Sequence, residues 1–356
     1  MLSDQAQMLS RVSAATTVLD PLEDGRWQRL LDASPNATIF HHPAWLSLLR
    51  EQYRYPIEAL CVCDGDGELS AGLPLARIES RLTGRRLVAL PFSDLCGPVE
   101  RVPGEQPPMV MLAELLEERH RADGLDIEVR EHVPGLRAQA GTRFFHHALA
   151  LQDDADSIRA ALPSSVRRGI ARAERSGVQV EHHTSERALE EFYALHLHTR
   201  RRQGVPTQPK SFIRRFAGLF AQGLGFVLVA RVDERPAAAA VFLSYKGVLT
   251  YKYGASDQRA LDKRPNNALF MSAIEWGCEH GQQVLDMGRT DADNEGLRVF
   301  KRRWGATERE LGYSLLAQRP VNAARSGVPG PLRGLISRTP PATGRLLGAA
   351  LYRHFG

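Results

Sequence analysis

Cysteine is scarce in this chain: Cys61, Cys63, Cys96 and Cys278 are the only four in 356 residues. Cys61 and Cys63 alternate on an apparent strand and no second pair stands at zinc-ligand spacing, so a disulfide framework and a zinc ribbon are both excluded, leaving reduced thiols. No run approaches the ~18 to 20 apolar residues that a membrane span requires. The first twenty residues, MLSDQAQMLSRVSAATTVLD, have no apolar core of the kind a secretory signal carries and include an early acid, which predicts a cytoplasmic protein. Acids are missing altogether beyond Glu310, where Arg319, Arg325, Arg333, Arg338, Arg345 and Arg353 lie; without those six the chain carries 40 bases against 41 acids. The formal charge of +5 therefore belongs to the tail, and charge alone does not make the body a nucleic-acid binder. The phosphate-loop and dinucleotide glycine motifs are also absent.

What is present is an ordinary globular composition, 43% hydrophobic, in a chain longer than one core usually organises. Its centre is the stretch Gln283 to Gly305, QVLDMGRTDADNEGLRVFKRRWG. A short apolar strand, 284–287, breaks at Gly288, a residue free to take positive φ. A charged loop follows, then a segment in which apolar and cationic side chains alternate up to Gly305. A strand end, an anionic loop and a cation side by side suit a site for charged acyl or phosphate groups. The same pattern fits a surface loop between strands, anchored by Phe300 and Trp304.

Two halves follow one outline. The first has a strand at 16–20, a short helix around Trp27, and a helix opened by Pro43. Strands at 57–63 and 69–78 join through Asp64-Gly65-Asp66-Gly67, and a strand at 87–90 leads into a loop to Pro98. A helix at 108–121 and strands at 126–130 and 144–151 complete it. The adjacent His41 and His42 have no carboxylate at helical spacing and read as capping groups, not metal ligands. Ser164 to Gly177 predicts a helix with Arg168, Arg172 and Arg175 on one face. The second half then runs strand (178–181), helices (185–202 and 210–221), hairpin (226–232 and 237–245), strand (249–255), polar loop (257–267), helix to about His280, and the strand at Val284. The loop entering the Asn267 helix, with Arg259, Lys263 and Arg264, suits phosphate, because the first amides of a helix point outward unpaired.

From about Phe40 to Tyr313 the chain resembles the Fem-type branch of the GNAT acyltransferase superfamily, including the acetyltransferase-like proteins of bacterial polysaccharide gene clusters. The resemblance rests on Phe40 to Trp45, Leu90-Pro91 to Gly97-Pro98, VRRGIARAERSGV (166–178), FYALHLHTRRRQGVP (192–206), LDMGRT (285–290) and VFKRRWG (299–305). It implies an α/β (α+β) fold of two tandem GNAT-like domains, 1–155 and 156–316, each a mixed, largely antiparallel sheet flanked by helices, with a basic tail at 317–356. It implies a donor held by the second domain, with Phe300 and Lys301 at its reacting end, and an anionic acceptor whose phosphates Arg202 suits. Trp45 belongs to the same matched pieces and is expected at the substrate. Gly169 stands where the family often has asparagine, and the ordered glycines of an acetyl-CoA loop are absent. The donor is thus open between acyl-CoA (acetyl-CoA) and aminoacyl-tRNA, with no metal implied.

Either donor requires an amine to lose a proton and attack a carbonyl, with a partner for the developing oxyanion. Lys301 is the candidate for the oxyanion, Asp286, Asp291 and Asp293 for the amine, Arg289, Arg168, Arg264 and Asn267 for phosphates, and Tyr253 for proton donation, with Tyr251 left to the core. The expected activity is N-acyl transfer to an amine of a cell-envelope or exopolysaccharide precursor; the alternatives are a Fem-type aminoacyltransferase and a non-catalytic glycan-binding scaffold. The amphipathic tail pieces, 332–338 and 344–353, fit either the anionic inner leaflet, where a lipid-linked acceptor would sit, or the protein's own surface.

Overall fold

The computed structural model describes residues 16–81, 83–102, 106–151 and 154–318, then Gly334, Ile336, Gly344, Gly348 and Tyr352–His354. The described chain forms two compact units. Of the described residues, one unit gathers Thr16–Arg143 with Leu311–Gln318, Arg353 and His354; the other holds Phe144–Glu310 and those from Gly334 to Tyr352. The boundary thus falls ahead of the expected 155, and the chain returns to the first unit before 316. Most of the tail pieces lie outside the described residues. Tyr352 does dock on the second unit, its hydroxyl donating to the Pro206 carbonyl and accepting from Arg200.

In the first unit β1 (Thr16–Leu19), α1 (Gly25–Ala33) and α2 (Pro43–Tyr53) precede the antiparallel strands β2 (Ile57–Cys63), β3 (Leu69–Ser80) and β4 (Gly84–Val88). The short β5 (Val99–Glu100) pairs with β3; α3 (Gln106–Asp123) then returns the chain to β6 (Asp126–Val129), parallel to β4. The His42 ring accepts from the Ala44 amide and caps α2, whereas His41 is buried. Between β4 and β5 the loop places Leu90 (φ 54°) and Phe92 (φ 63°) in the left-handed region, a conformation that needs surrounding contacts to hold it. Trp45 Nε1 donates to Ser93 Oγ and Arg130 to the Ser93 carbonyl, and Tyr313 donates to the Asp94 carbonyl. Trp45 is therefore a buried anchor, 0% exposed, and not a side chain presented to substrate.

After β7 (Gln139–Ala150), the second unit has α4 (Ala155–Ala161), α5 (Ser164–Arg175), β8 (Gln179–His183), α6 (Glu186–Gln203), α7 (Lys210–Arg214) and α8 (Phe216–Phe220). The single helix expected over 210–221 is two short ones. Then come β9 (Gly225–Val232), β10 (Arg235–Tyr245), β11 (Val248–Ser256), a 3-10 turn at Gln258–Lys263, α9 (Pro265–Glu279), β12 (Val284–Asp291), α10 (Glu295–Arg303) and β13 (Thr307–Leu316). Strand alternation sends Phe226, Leu228, Ala238, Ala240 and Phe242 to the α9 side with Leu269, Phe270 and Ile274, and the intervening residues to the α6 side. The element order repeats that of the first unit, down to the parallel pairing of β11 with β12. Each sheet is then extended by a strand from beyond the other half of the chain: β7 pairs with β12 in the second unit and β13 with β6 in the first.

Two expectations about 283–305 change. β12 does not end at Gly288; it runs on to Asp291 with a register shift between Asp286 and Arg289, and Gly288 takes φ 70° within that bulge. The stretch Glu295–Arg303 is a helix, with Trp304 at its C-cap. Asn294 Oδ1 caps it at the Leu297 amide, and Leu297, Phe300 and Trp304 stand at i, i+3 and i+7, the spacing of one helical face. Phe300 and Trp304 pack on Phe270 of α9.

Candidate active site

The second unit's sheet opens at one place. β11 and β12 pair only from Val248↔Val284 to Thr250↔Asp286, after which β11 continues with β10 and β12 with β7. Both prongs of this fork are bulged, β11 at Lys252, which the register skips between Tyr251 and Tyr253, and β12 at Gly288. Bulges add twist and redirect a strand, which is how parallel neighbours can part here. The helix α9 starts at the open end of the fork, because it carries the chain from the end of β11 back to the start of β12.

On the α9 side lies a groove of about 580 Å³, lined by Arg168, Arg172 and Arg175 of α5, Arg264 and Asn267 at the start of α9, and Val299, Phe300, Arg303 and Trp304 of α10. No acid is among its lining residues. None of the five arginines is ion-paired among the described residues; Arg168 reaches only the Ser164 hydroxyl, at 3.2 Å. The groove is close-built because α5 meets α9 at Gly169, where a Cβ would stand 2.6 Å from Asn267 Nδ2. The backbone supplies little: Pro265 opens α9 without an amide proton, and the Asn267 and Ala268 amides already donate to the Arg264 carbonyl.

Lys301 is not in this groove. It is 3% exposed, and its Nζ donates to the carbonyls of Gly288 (3.0 Å) and Arg289 (3.2 Å). It thus fastens α10 to the β12 bulge. Beside it, Glu308 accepts from Arg298, Arg302 and His147 Nε2. These donors, Arg298 first, hold the Glu308 carboxyl down at about 2, against an opposing burial effect. His147 is pushed down by burial and by the Lys301 charge.

On the opposite face, Asp286 Oδ1 accepts from the Gly288 amide at 2.7 Å and lies 2.8 Å from His146 Nε2. The Arg289 guanidinium covers the Phe144 ring, 4.1 Å from its centroid. Tyr253 packs against His196 and Phe216, on the α6 side, whereas the half-buried Tyr251 packs against Phe242 and Phe270, its hydroxyl pushed up to about 12 by burial. Asp291 and Asp293 are exposed beside the cap of α10. Arg202 lines a separate cleft of about 670 Å³ with His198, Arg201, Ser256, Asp257 and Arg259. In it Arg201 Nε is buried without a hydrogen-bond partner among the described residues.

The structure thus brings Arg168, Arg264, Asn267 and Phe300 together, places Asp286 at the fork, and sets Lys301, Tyr253, Arg289 and Arg202 at other points. Sequence reasoning missed His146, His147, Glu308 and Arg303. The signal for the two histidines was present in FFHHAL: neighbours on a strand face opposite ways. Among the described residues no three His, Cys, Asp or Glu side chains gather as a metal set, and no helix is long and apolar enough to cross a membrane.

Comparisons with known proteins agree with this architecture. A family model described as an acetyltransferase (GNAT) domain matches residues 161–302. A UDP-N-acetylmuramoylpentapeptide-lysine N(6)-alanyltransferase of Weissella viridescens is 24% identical over 150 residues, 42% of this chain and 44% of that protein, so the match spans less than half of the relative. Among solved structures, FemX superposes with a TM-score of 0.64 at 15% identity, covering 91% of this chain and 100% of that one. L-PGS from Bacillus licheniformis gives 0.55 at 16% identity, covering 92% and 97%. A tandem GNAT protein from the clavulanic acid biosynthesis pathway gives 0.53 at 14% identity, covering 86% and 99%. The matched segment is thus a GNAT acetyltransferase domain, residues 161–302, and the chain as a whole shares its fold with FemX and the tandem GNAT protein.

Proposed function

We propose that the protein transfers an acyl group from a phosphate-bearing carrier to an amine of a cell-envelope or exopolysaccharide precursor. The observation that carries this reading is the groove at the start of α9: five unpaired arginines, no acid, and an aromatic floor of Phe300 and Trp304, next to a fork between two strands. Arginine guanidinium groups hold phosphate oxygens in paired hydrogen bonds, and the fork gives a carrier's acyl end a way through the sheet. The opposite face offers Arg201 and Arg202 for an anionic acceptor. An acyl-CoA thioester, with acetyl-CoA the simplest, suits a groove of this size. Lys301 contributes by fixing the β12 bulge, and Phe300 by packing at the donor.

A second donor, an aminoacyl-tRNA, is favoured by one feature. The start of α9 offers few backbone amides to cradle a compact diphosphate, since Pro265 has none and those of Asn267 and Ala268 donate to the Arg264 carbonyl, so binding rests chiefly on side-chain charge spread along the groove. The alanyl transfer named for the Weissella viridescens relative is consistent with it.

Titration calorimetry with coenzyme A and with tRNA at two salt concentrations tests the groove. Arg264→Ala and Arg172→Ala should each weaken binding of the true carrier about tenfold and flatten its salt dependence. Binding by neither carrier, or binding indifferent to both substitutions, would sink the reading.

A further inference from the structure

We infer that His146 and Asp286 form the proton-accepting pair that readies the acceptor amine, with His146 as the base and Asp286 as the group that stabilises its charged form. This rests on the transfer reading above and names a residue that reading does not use.

The argument is one of place. Thr250↔Asp286 is the last pair before β11 and β12 part, so Asp286 stands at the apex of the fork. Its neighbours Leu285 and Met287 belong to the apolar cluster on the α9 side; Asp286 therefore faces the other way, towards His146 on β7. The two strands are paired on either side of them, Asp286 with Ala148 and Arg289 with His146. The pair is nearly enclosed, His146 at 7% and Asp286 at 9% exposure. One carboxylate oxygen is fixed by the Gly288 amide of the bulge. A donor entering from the arginine groove and an amine from the opposite face meet at this apex.

The histidine's own bonding supports the role. Nε2 is 2.8 Å from Asp286 Oδ1 but buried without an aligned hydrogen bond, so the contact is coulombic and strengthens when the ring becomes charged. His146 makes no other hydrogen bond, ion pair or ring contact among the described residues, which leaves Nδ1 with a lone pair to spend. A buried imidazole beside a fixed carboxylate, with no structural bond of its own, is poorly explained by packing alone.

An alkylammonium at neutral pH cannot attack until it loses a proton. That proton passes to His146 Nδ1, and the imidazolium is held by the Asp286 charge. The freed nitrogen lone pair forms the new C–N bond, and the carbonyl π pair moves onto oxygen. As the tetrahedral intermediate collapses, the bond from carbon to the carrier breaks. The carrier leaves with that electron pair, as a thiolate or a ribose alkoxide, and is protonated by the imidazolium or by water; the remaining N–H proton goes to solvent.

The test uses the full chain, acetyl-CoA or alanyl-tRNA as donor, and two probe amines of one shape: 1,3-diaminopropane and its less basic 2,2-difluoro analogue. His146→Gln should lower kcat with diaminopropane by about a hundredfold or more while KM changes by less than about threefold. With the difluoro amine, already largely unprotonated at pH 7.5, the loss should shrink to about tenfold or less. Asp286→Asn, which keeps the oxygen that accepts from Gly288, should show the same contrast more weakly, and thermal melts should stay near wild type. Equal losses with both amines, or an unchanged kcat, overturn the pair and leave the transfer reading standing. A wild-type protein that transfers from neither donor overturns both.

Discussion

At the scale of a residue, Lys301 is the informative case. A lysine that is 3% exposed has given up most of its hydration, and two backbone carbonyls on a bulge return part of it. Removing the ammonium leaves both carbonyls buried without that donor, at a cost of about 1 to 3 kcal/mol. Lys301→Met, which keeps most of the side-chain length, should therefore lower the free energy of unfolding in urea by that amount and reduce transfer only as far as the bulge moves. A variant of undiminished stability with abolished kcat would mean that the nitrogen acts on the reacting group directly. The sequence marked this residue for the reacting end of the donor; the structure gives its nitrogen two backbone carbonyls as partners. A cation beside an acid-rich loop looks like a site, but which carbonyls it meets depends on contacts 12 and 13 residues away. For His146 the difficulty was greater: its partner lies 140 positions on, across a pairing that no local pattern announces.

At the scale of elements, turn chemistry and periodicity made most strands and helices legible. Asp64-Gly65-Asp66-Gly67 and Asp233-Glu234 separate paired strands as expected. The failures share a cause, which is that a short charged stretch can satisfy two periods at once. The stretch starts in alternation at Leu297-Arg298-Val299 and also repeats at three and four through Leu297, Phe300 and Trp304; tertiary packing on Phe270 decided for the helix. Likewise a glycine inside a strand pattern signals a bulge as well as an end. The contact of α5 with α9 gives a prediction of the same scale. Gly169→Ala gains helix propensity of up to about 1 kcal/mol but drives the new methyl into Asn267 Nδ2. Because that amide is the mobile end of its side chain, it should swing away. Stability should then stay within about 1 kcal/mol of wild type while affinity for the carrier falls several-fold by calorimetry; intact affinity would remove Asn267 from the groove's function.

At the scale of the whole molecule, each unit encloses a histidine that burial depresses far below its ordinary value. In the first, His41 lies between Thr38 and Gly97, and burial depresses it from 6.5 to about 4 despite those hydrogen bonds. In the second, His196 lies among Phe192, Tyr253 and Gln208, and burial, helped by the Arg200 charge, depresses it from 6.5 to about 3. The folded chain therefore refuses protons that the unfolded chain accepts once pH drops below about 6.5. Both contributions to stability are complete above that value and decline as pH falls towards the folded pKa values. Each histidine should steepen the loss by about 1.4 kcal/mol per pH unit. Glu308, held at about 2, begins to matter only as pH falls below its ordinary 4.5. Denaturant unfolding between pH 7 and 5 should accordingly show a decline in wild type that is shallower by one proton in His41→Asn and likewise in His196→Asn. Each variant should start from a lower stability at pH 7. Parallel slopes in all three proteins would mean that neither ring is neutral in the folded state, and that the acid sensitivity of both units has another source.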